Sequence, residues 1–527
     1  MKKYLLFIAL FASVWGFSYA QKLDLGEEYL ESPDDILSFP EIVGSDETGY
    51  YISHRKIATN FGIGVAFNSR DKKVYLRKFS KDLNLEKSVE VKLNNQEGPE
   101  IMEGIFMLGK KLILFSSSTN PKNKTSELFF REVNKSTLAI PETGKSLGTI
   151  NYASDSKSSS INHNFRISQD SSKLLIYSKF SSEKDMPKRF LVQTYTHELN
   201  KLWAREIELP YLDNVFVADF FWSPTFLIEN GGRVFVLGKF YPKDSKGRSE
   251  ESPHFKILML DAKEETSSEV LVDSGDKLLE GLHLEILNNG DLICVGPFTE
   301  KKPSKVSGLY MLKINPTTKA ILKENYIEVT AGMVLEGSEA SDKKNANAEK
   351  DIMHFPSYDF LDITAKADGG VVFVGEQQIR TTGSYGTSFR YNDIIVLDIS
   401  AECEIKKAFL IPKKQDMKHS NMYLSCGLMM REPSIYLIFN DRVENLNLAA
   451  GEEPVMYIPG GLTQNKQVIE LVSLNIEGQG DYTRKALNTA KETEIFAIPA
   501  VTQQISPHEA IIIFEKRDRR RLGRITF

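Results

Sequence analysis

The sequence predicts an all-β fold, a β-propeller of eight four-stranded blades. The first observation is a phrase that recurs eight times along the 527 residues: a polar or glycine-containing turn, then an unbroken apolar run. The second is that weaker apolar segments flank each run at similar distances. The third is that the long insertions occur mainly in two kinds of connection between strands. The apolar runs start at residues 50, 112, 174, 234, 292, 371, 435 and 510.

The spacing of these runs indicates a repeat architecture. Successive runs start 58 to 79 residues apart, and units of fixed size bury their apolar faces only against their neighbours. The runs are continuous rather than alternating, which is typical of a strand covered on both faces. The second strand of a propeller blade is such a strand.

The flanking segments supply the other strands of each unit. A first strand precedes the run by three or four turn residues, as at 226–228 and 284–287. A third strand follows, as at 256–260, and a fourth comes after another polar turn, as at 202–207. Four short antiparallel strands per unit of about 60 residues form a propeller blade.

The last unit lacks one strand, and we expect the other end of the chain to supply it. Residues 22–26 form an extended segment that belongs to no unit. An open sheet edge invites unwanted pairing, so these residues are predicted to be the outer strand of the final blade. The alternative is seven blades plus a terminal hairpin.

The first 20 residues have the pattern of a secretory signal peptide. Lys2 and Lys3 precede an apolar stretch, and Ser18, Tyr19 and Ala20 form a small-residue cleavage site. The stretch is too short for a membrane span. We therefore expect residues 21–527 to form a single propeller domain that is exported, to the periplasm, the outer membrane or the exterior.

Composition excludes several function classes. A net charge of -5 over this length gives no field that would attract nucleic acid. The three cysteines, Cys294, Cys403 and Cys426, cannot all pair and lack metal-ligand spacing, so we expect them to be buried as small apolar side chains. The eight histidines show no ligand spacing, and there is no nucleophile elbow or phosphate-binding loop. No metal, cofactor or nameable catalytic residue is expected, and the protein is expected to be a monomer.

The insertions point to a binding face. They occur between blades and between second and third strands, and both connections emerge on the same face of a propeller. Variation confined to one face is typical of binding loops on a rigid scaffold, although long surface loops also cost little entropy. The long segments are 150–162, 241–253, 329–358, 379–391 and 441–465.

The candidate binding residues lie on the insertions around the sixth and seventh units. Segment 379–391 is expected to be a recognition loop outside the blades, since it mixes aromatics and arginine with small residues. The basic tract 516–521 is expected to be a solvated hairpin tip, with a polyanion site as its alternative. The candidate residues are His354, Tyr358, Arg380, Tyr385, Arg390, Tyr391, Asp416, His419, Asn440, Asp441 and Arg442.

The chain resembles secreted bacterial β-propeller-like repeat proteins over essentially all of residues 21–527. Residues 435–441 and 521–527 carry the most specific part of this resemblance. It implies the fold and an address in the cell envelope, and it supplies no catalytic residue. We expect a non-catalytic binding or scaffold protein of the bacterial envelope that recognises a protein or glycan. The alternative is a propeller-fold carbohydrate hydrolase or lyase that acts at the central channel.

Overall fold

The recurring apolar runs are the second strands of eight antiparallel sheets in the computed structural model. The predicted signal peptide, residues 1–20, and the inserted segment 329–357 lie outside the described residues. The structure describes residues 21–30, 37–57, 73–93, 100–151, 161–180, 187–212, 225–240, 254–263, 267–275, 277–279, 281–299, 307–328, 358–383, 386–448, 452–459, 466–478, 482–489, 496–516 and 519–527.

Each sheet is one blade. Blades 1 to 7 are built from sequential strands, blade 8 combines three sequential strands with β1, and blade 5 has a first strand in two pieces, β19 and β20. The N-terminal strands are β1 (Lys22–Leu25) and β2 (Tyr29–Leu30). Blades 1 to 3 contain β3 (Leu37–Asp46), β4 (Gly49–Ile57), β5 (Lys73–Phe79), β6 (Leu85–Glu90); β7 (Glu100–Leu108), β8 (Lys111–Asn120), β9 (Thr125–Val133), β10 (Lys145–Asn151); and β11 (Ile161–Ile167), β12 (Lys173–Phe180), β13 (Pro187–Thr196), β14 (Lys201–Leu212).

Blades 4 and 5 contain β15 (Thr225–Ile228), β16 (Val234–Phe240), β17 (His254–Leu260), β18 (Ser268–Val272); and β19 (Leu278–Leu279), β20 (His283–Ile286), β21 (Leu292–Thr299), β22 (Gly308–Ile314), β23 (Ile321–Glu328). Blades 6 to 8 contain β24 (Tyr358–Ala365), β25 (Val371–Gly383), β26 (Gly386–Ile399), β27 (Ile405–Ile411), with β28 (Gln415–Lys418); β29 (Gly427–Arg431), β30 (Ser434–Arg442), β31 (Gln467–Asn475), β32 (Tyr482–Thr489); and β33 (Phe496–Ser506), β34 (Glu509–Lys516), β35 (Arg519–Thr526). A short 3-10 helix, Val443–Asn447, follows β30.

Apolar cores between consecutive blades hold the ring together. In β4, Tyr50 and Ile52 pack against blade 8, whereas Tyr51 between them packs against blade 2. Successive side chains of a strand point to opposite faces, so a strand between two blades favours apolar residues at consecutive positions. This two-sided burial explains the continuous runs of the sequence. The three cysteines are buried in such cores and unpaired, as expected.

The ring closes through the predicted pairing of the two ends of the chain. Strand β1 is antiparallel to β35, with Leu23 opposite Ile525, and Asp24 accepts a 3.1 Å hydrogen bond from Arg524. Leu25 and Leu23 also pack on the core between blades 7 and 8. The eight-blade prediction and the closing strand are confirmed.

The expectation that segment 379–391 is a loop was wrong. Strand β25 continues to Gly383 and β26 starts at Gly386, so the segment is a β-hairpin that extends blade 6 beyond its neighbours. The hairpin projects from the face of the propeller that carries the long connections. In the part of the chain that the structure describes, no helix is long and apolar enough to cross a membrane.

The first strands of neighbouring blades approach one another and line the axis, as β3 does with β7 and β33. The short turns between first and second strands therefore surround one mouth of the central channel. We call this the short-turn face, and the opposite one the long-connection face.

We predict that replacing both Leu23 and Leu25 with aspartate destabilises the whole ring by about 2 kcal/mol or more. The change puts charge on the apolar core between blades 7 and 8 and loosens the strand that covers the edge of β35. Urea unfolding measures the loss. Lys22→Asn, at a side chain that is 72% exposed, is the control and should change stability little. Equal stability of the double variant and the control would contradict closure by β1.

The glycine turns give a second prediction. Of the pairs at 231–232 and 369–370, Gly232 has φ +93° and Gly369 has φ +82°, as a tight hairpin requires. A Cβ at Gly369 would come no closer than 3.7 Å to a neighbour, so valine there tests the backbone alone. We expect Gly369→Val to cost about 1–3 kcal/mol. Gly383→Val, at a glycine with open space and an ordinary φ, is the control. Unchanged unfolding of the Gly369 variant would refute strain at this turn.

Candidate functional site

The extended hairpin of blade 6 is the base of a small layer on the long-connection face, which we call the crown. The crown consists of residues 377–383, 386–391, 415–419 and 452–459. Strand β28 pairs with β26. Beyond it, the Asp416 N–H donates to the Tyr457 carbonyl at 3.0 Å, and the Tyr457 N–H donates to the Lys414 carbonyl at 2.8 Å. Residues from three separate parts of the sequence therefore form one sheet.

The inner face of the crown is apolar. Tyr391 and Tyr457 are buried with Leu424, and Phe389 and Met417 pack against them. These side chains share a face because Phe389 lies opposite Met417, and Tyr391 lies two residues further along β26. The crown is therefore fixed to the propeller by a core of its own.

The outer face of the crown presents a mixed row of side chains. Ile379 lies opposite Arg390, and Arg390 lies opposite Asp416. The Arg390 Nε donates to Asp416 Oδ2 at 3.3 Å, and the arginine side chain is 50% exposed. Ile458 follows Tyr457, which pairs in parallel with Gln415, so Ile458 lies on the same side as Asp416. Four neighbouring chain segments thus present one exposed surface.

A fully buried ion pair lies at the base of the crown. Lys413 Nζ is 2.7 Å from Glu376 Oε1, and neither side chain has any exposed surface. The ammonium also donates to Gln415 Oε1 at 2.9 Å, while Ser425 Oγ donates to Glu376 Oε2 at 2.8 Å. Buried charges need such partners because an unpaired one is very costly in the protein interior. The pair therefore determines where β25 enters the crown and where the chain runs towards β28.

A second buried group lies at the end of blade 7 below the 3-10 helix. Burial raises the pKa of both Asp441 and Glu470, and the charge of neighbouring Asp441 raises that of Glu470 further. Arg484 Nη1 is 3.4 Å from Glu470 and donates to the Asn445 carbonyl at 2.9 Å. Asn445 in turn donates to Asp441 at 2.7 Å. This network joins the 3-10 helix to the blade.

The structure brings together some of the predicted site residues. Arg380 is exposed, its guanidinium 5.7 Å from the Phe389 ring, and His419 is exposed at the edge of the crown. Tyr391 is buried, and its hydroxyl accepts a 2.9 Å hydrogen bond from Asn421. The residues placed in the crown are Arg380, Arg390, Tyr391, Asp416 and His419.

Three other predicted residues lie below the crown. Asn440, Asp441 and Arg442 are buried at the end of β30, where Asn440 bonds to the Tyr423 and Ala497 carbonyls. Their side chains stabilise the fold and do not face solvent. His354 and Tyr385 lie outside the described residues, as does the side chain of Tyr358, which begins β24.

The residues that support the crown carry little signal in the sequence. Glu376 ends the apolar run of β25, and a charged residue in that position is a usable signal of a buried ion pair. Lys413 and Gln415 lie in an ordinary polar connection, and nothing nearby in the sequence marks them. Arg484 lies on β32, a fourth strand whose polar sequence suggests exposure to solvent.

In the described part of the basic tract, the arginines at 519, 520 and 521 have acidic partners. Arg519 and Arg521 both contact Glu28. Arg520 is buried, with Glu515 at 2.6 Å and the His54 ring at 2.7 Å. Within the described ranges, no group of three histidine, cysteine, aspartate or glutamate side chains is arranged to hold a metal ion.

Comparison with known proteins gives a fold-level likeness only. No protein-family model matches the chain, and no curated protein matches it. It is similar to the WD40 domain of SCAP from fission yeast, at 9% identity and a TM-score of 0.37, over 95% of this chain and 98% of that one. It is also similar to the β-propeller domain of the Trilobed protease from Pyrococcus furiosus, at 12% identity and a TM-score of 0.34, over 85% and 96%.

A third solved structure is the polysaccharide lyase Uly1, at 11% identity and a TM-score of 0.34, over 82% of this chain and 91% of that one. At these TM-scores the likenesses carry no argument about function. The eight blades of the structure themselves define the chain as an eight-bladed β-propeller, a fold that fits a binding or scaffold role.

The buried ion pair gives a third prediction. Lys413→Met leaves the Glu376 carboxylate buried without its cation, and we expect a loss of about 3–5 kcal/mol in unfolding free energy. The adjacent Lys414 pairs with Glu453, whose side chain is 78% exposed, so Lys414→Met is a matched control that should cost less than about 1 kcal/mol. Similar chemical-denaturation midpoints for the two variants would show that the buried pair does not stabilise the crown.

Proposed function

We propose that this protein is a non-catalytic binding or scaffold protein that engages a partner protein through the outer face of the crown. The observation that carries the proposal is the row formed by Ile379, Arg390, Asp416 and Ile458. Two aliphatic side chains flank two charged ones there on one sheet. Such mixed surfaces, with arginine among them, are typical of protein–protein interfaces.

Exposed aliphatic side chains are concentrated around the crown. Ile379 is 38% exposed and Ile458 50%, and Val443 and Val455 nearby are 41% and 44% exposed. A partner that covers them removes apolar surface from water, which contributes roughly 25 cal/mol per Å². The arginine and the aspartate beside them give the surface orientation and specificity.

The crown is held in place before any partner arrives. Its inner face packs on Tyr457 and Leu424, and the Glu376–Lys413 pair fixes its base. Binding therefore costs little ordering of the surface, which favours affinity for a given contact area. A loop of the same composition would lose this advantage.

The sequence supports an envelope address for this function. Residues 1–20 have the signal-peptide pattern, so we propose that the protein is exported and that its partner is an envelope component. The alternative function, a carbohydrate hydrolase or lyase at the central channel, stays a prediction. It requires carboxylates that converge on a substrate at the channel.

Capture from an envelope fraction tests the proposal. The variant Ile379→Asp/Ile458→Asp should keep nearly the wild-type melting temperature, because both side chains are at the surface. The amount of partner that it captures, measured by quantitative mass spectrometry, should fall at least tenfold. The matched control is Ile321→Asp/Leu322→Asp, at residues 53% and 48% exposed on β23 of blade 5. Full retention of every partner by the crown variant, or equal loss in both variants, would contradict the proposal.

A further inference from the structure

A cavity of about 440 Å³ opens on the short-turn face, on the opposite side from the crown. It is bordered by the ends of β11, β15 and β20, the first strands of blades 3, 4 and 5, and by the turns that follow them. First strands line the axis, so the cavity lies at the mouth of the central channel. Its volume is within the range of about 300–1,000 Å³ that small-molecule sites occupy.

The cavity contains a cation without a carboxylate partner among the described residues. Arg166 is exposed on the cavity wall, and its Nη1 donates to the Phe165 carbonyl at 3.0 Å. The nearby carboxylate, Glu229, is already occupied: Arg233 donates to its two oxygens at 2.6 and 2.9 Å. Arg166 therefore gives the cavity a positive charge, which a guanidinium uses to bind a carboxylate with two parallel hydrogen bonds.

The second acidic side chain of the cavity is Glu285 on β20. Burial, together with the nearby charge of Asp362 on β24, raises the pKa of Glu285 to about 7. Near neutral pH a large part of Glu285 is therefore neutral and able to donate its O–H. His283 on the same strand is neutral as well, since burial lowers its pKa to about 4.

A lysine near this wall is neutralised by two neighbouring carboxylates. Lys366, in the turn after β24, pairs with Asp398 at 2.6 Å and Asp368 at 3.1 Å. The backbone carbonyl of Lys366 accepts a hydrogen bond from the side chain of Asn288, which lines the cavity. Arg166 and Glu229 are the other charged residues that line the cavity within the described part of the chain.

The cavity lining combines apolar and polar residues. Aliphatic residues such as Leu227 and Ile286 contribute to it, and so do the amide residues Asn230 and Asn288. The Asn230 amide oxygen accepts a hydrogen bond from the Asp170 N–H at 3.2 Å, so its amide nitrogen is left to donate to a ligand. A pyranose ring suits such a lining, because its C–H face is apolar and its edge carries hydroxyl groups.

We propose that this cavity binds a sugar acid, with the ligand carboxylate on Arg166 and its hydroxyls on Glu285 and Asn230. The site lies on the face opposite the crown and is independent of the proposed partner surface. A polyhydroxylated ring uses the amide and aliphatic residues of the lining, and its carboxylate neutralises Arg166, which has no carboxylate partner among the described residues.

Titration of the whole protein with D-glucuronate, followed by ligand-observed NMR, tests this site. We expect saturable binding, at least tenfold weaker binding of D-glucose, and at least tenfold weaker binding of acetate. Arg166→Gln should lose at least tenfold in affinity for glucuronate. The control is Arg189→Gln on the same blade, where the arginine is exposed and pairs with Glu206, and it should bind like wild type.

The pH dependence provides a second readout. Glu285 loses its proton as the pH rises through about 7, and its negative charge then repels the ligand carboxylate. Affinity should be higher at pH 6 than at pH 8 in the wild type and nearly equal at both pH values in Glu285→Gln. Equal affinity for glucuronate and glucose, unchanged affinity in Arg166→Gln, or no saturable binding would overturn the site. Acetate binding as tight as glucuronate would overturn the assignment of a sugar.

Discussion

Burial of each second strand between two neighbouring blades is the constraint on which the rest of this structure depends. No blade of such a ring can cover both faces of its own second strand, as β4 shows with Tyr51 towards blade 2 and Tyr50 towards blade 8. The stability of a blade therefore comes from its neighbours, and the ring is stable only when every interface is formed. The two exposed features that concern function, the crown and the cavity at the channel mouth, are built on opposite faces of this shared scaffold.

The crown shows how a propeller gains a specific surface without disturbing its ring. Its strands continue the hydrogen bonding of blade 6, so the backbone groups of the extension are satisfied by pairing rather than by water. The cost is a charged pair, Glu376 and Lys413, buried where blade and extension meet. Burying an ion pair contributes little net stability, but it penalises alternative arrangements strongly, because either charge alone would be unpaired. The pair therefore selects one orientation of the crown.

The sequence predicted the ring well because its cause is local. Two-sided burial favours a continuous apolar run in each second strand, and that pattern is visible in a single chain at 371–374 or 510–514. The closing strand followed from counting, since one blade lacked a partner for its edge. The crown could not be predicted in this way. Its hairpin strands, 377–383 and 386–391, are mostly polar, and their apolar contacts are with the distant Met417 and Tyr457. Likewise, Lys413 has no local pattern that shows its burial.

The pairing of β1 with β35 also sets the order of events when the chain folds. Asp24 and Arg524 are in contact although 500 residues separate them along the chain. The chain entropy lost in joining such distant segments is recovered only after most of the intervening blades have formed. Strand β1 therefore stays unpaired until the other seven blades have formed. During that interval the edge of blade 8 is open to any other extended segment, and a second copy of the chain would be able to supply its own β1 in place of the native one.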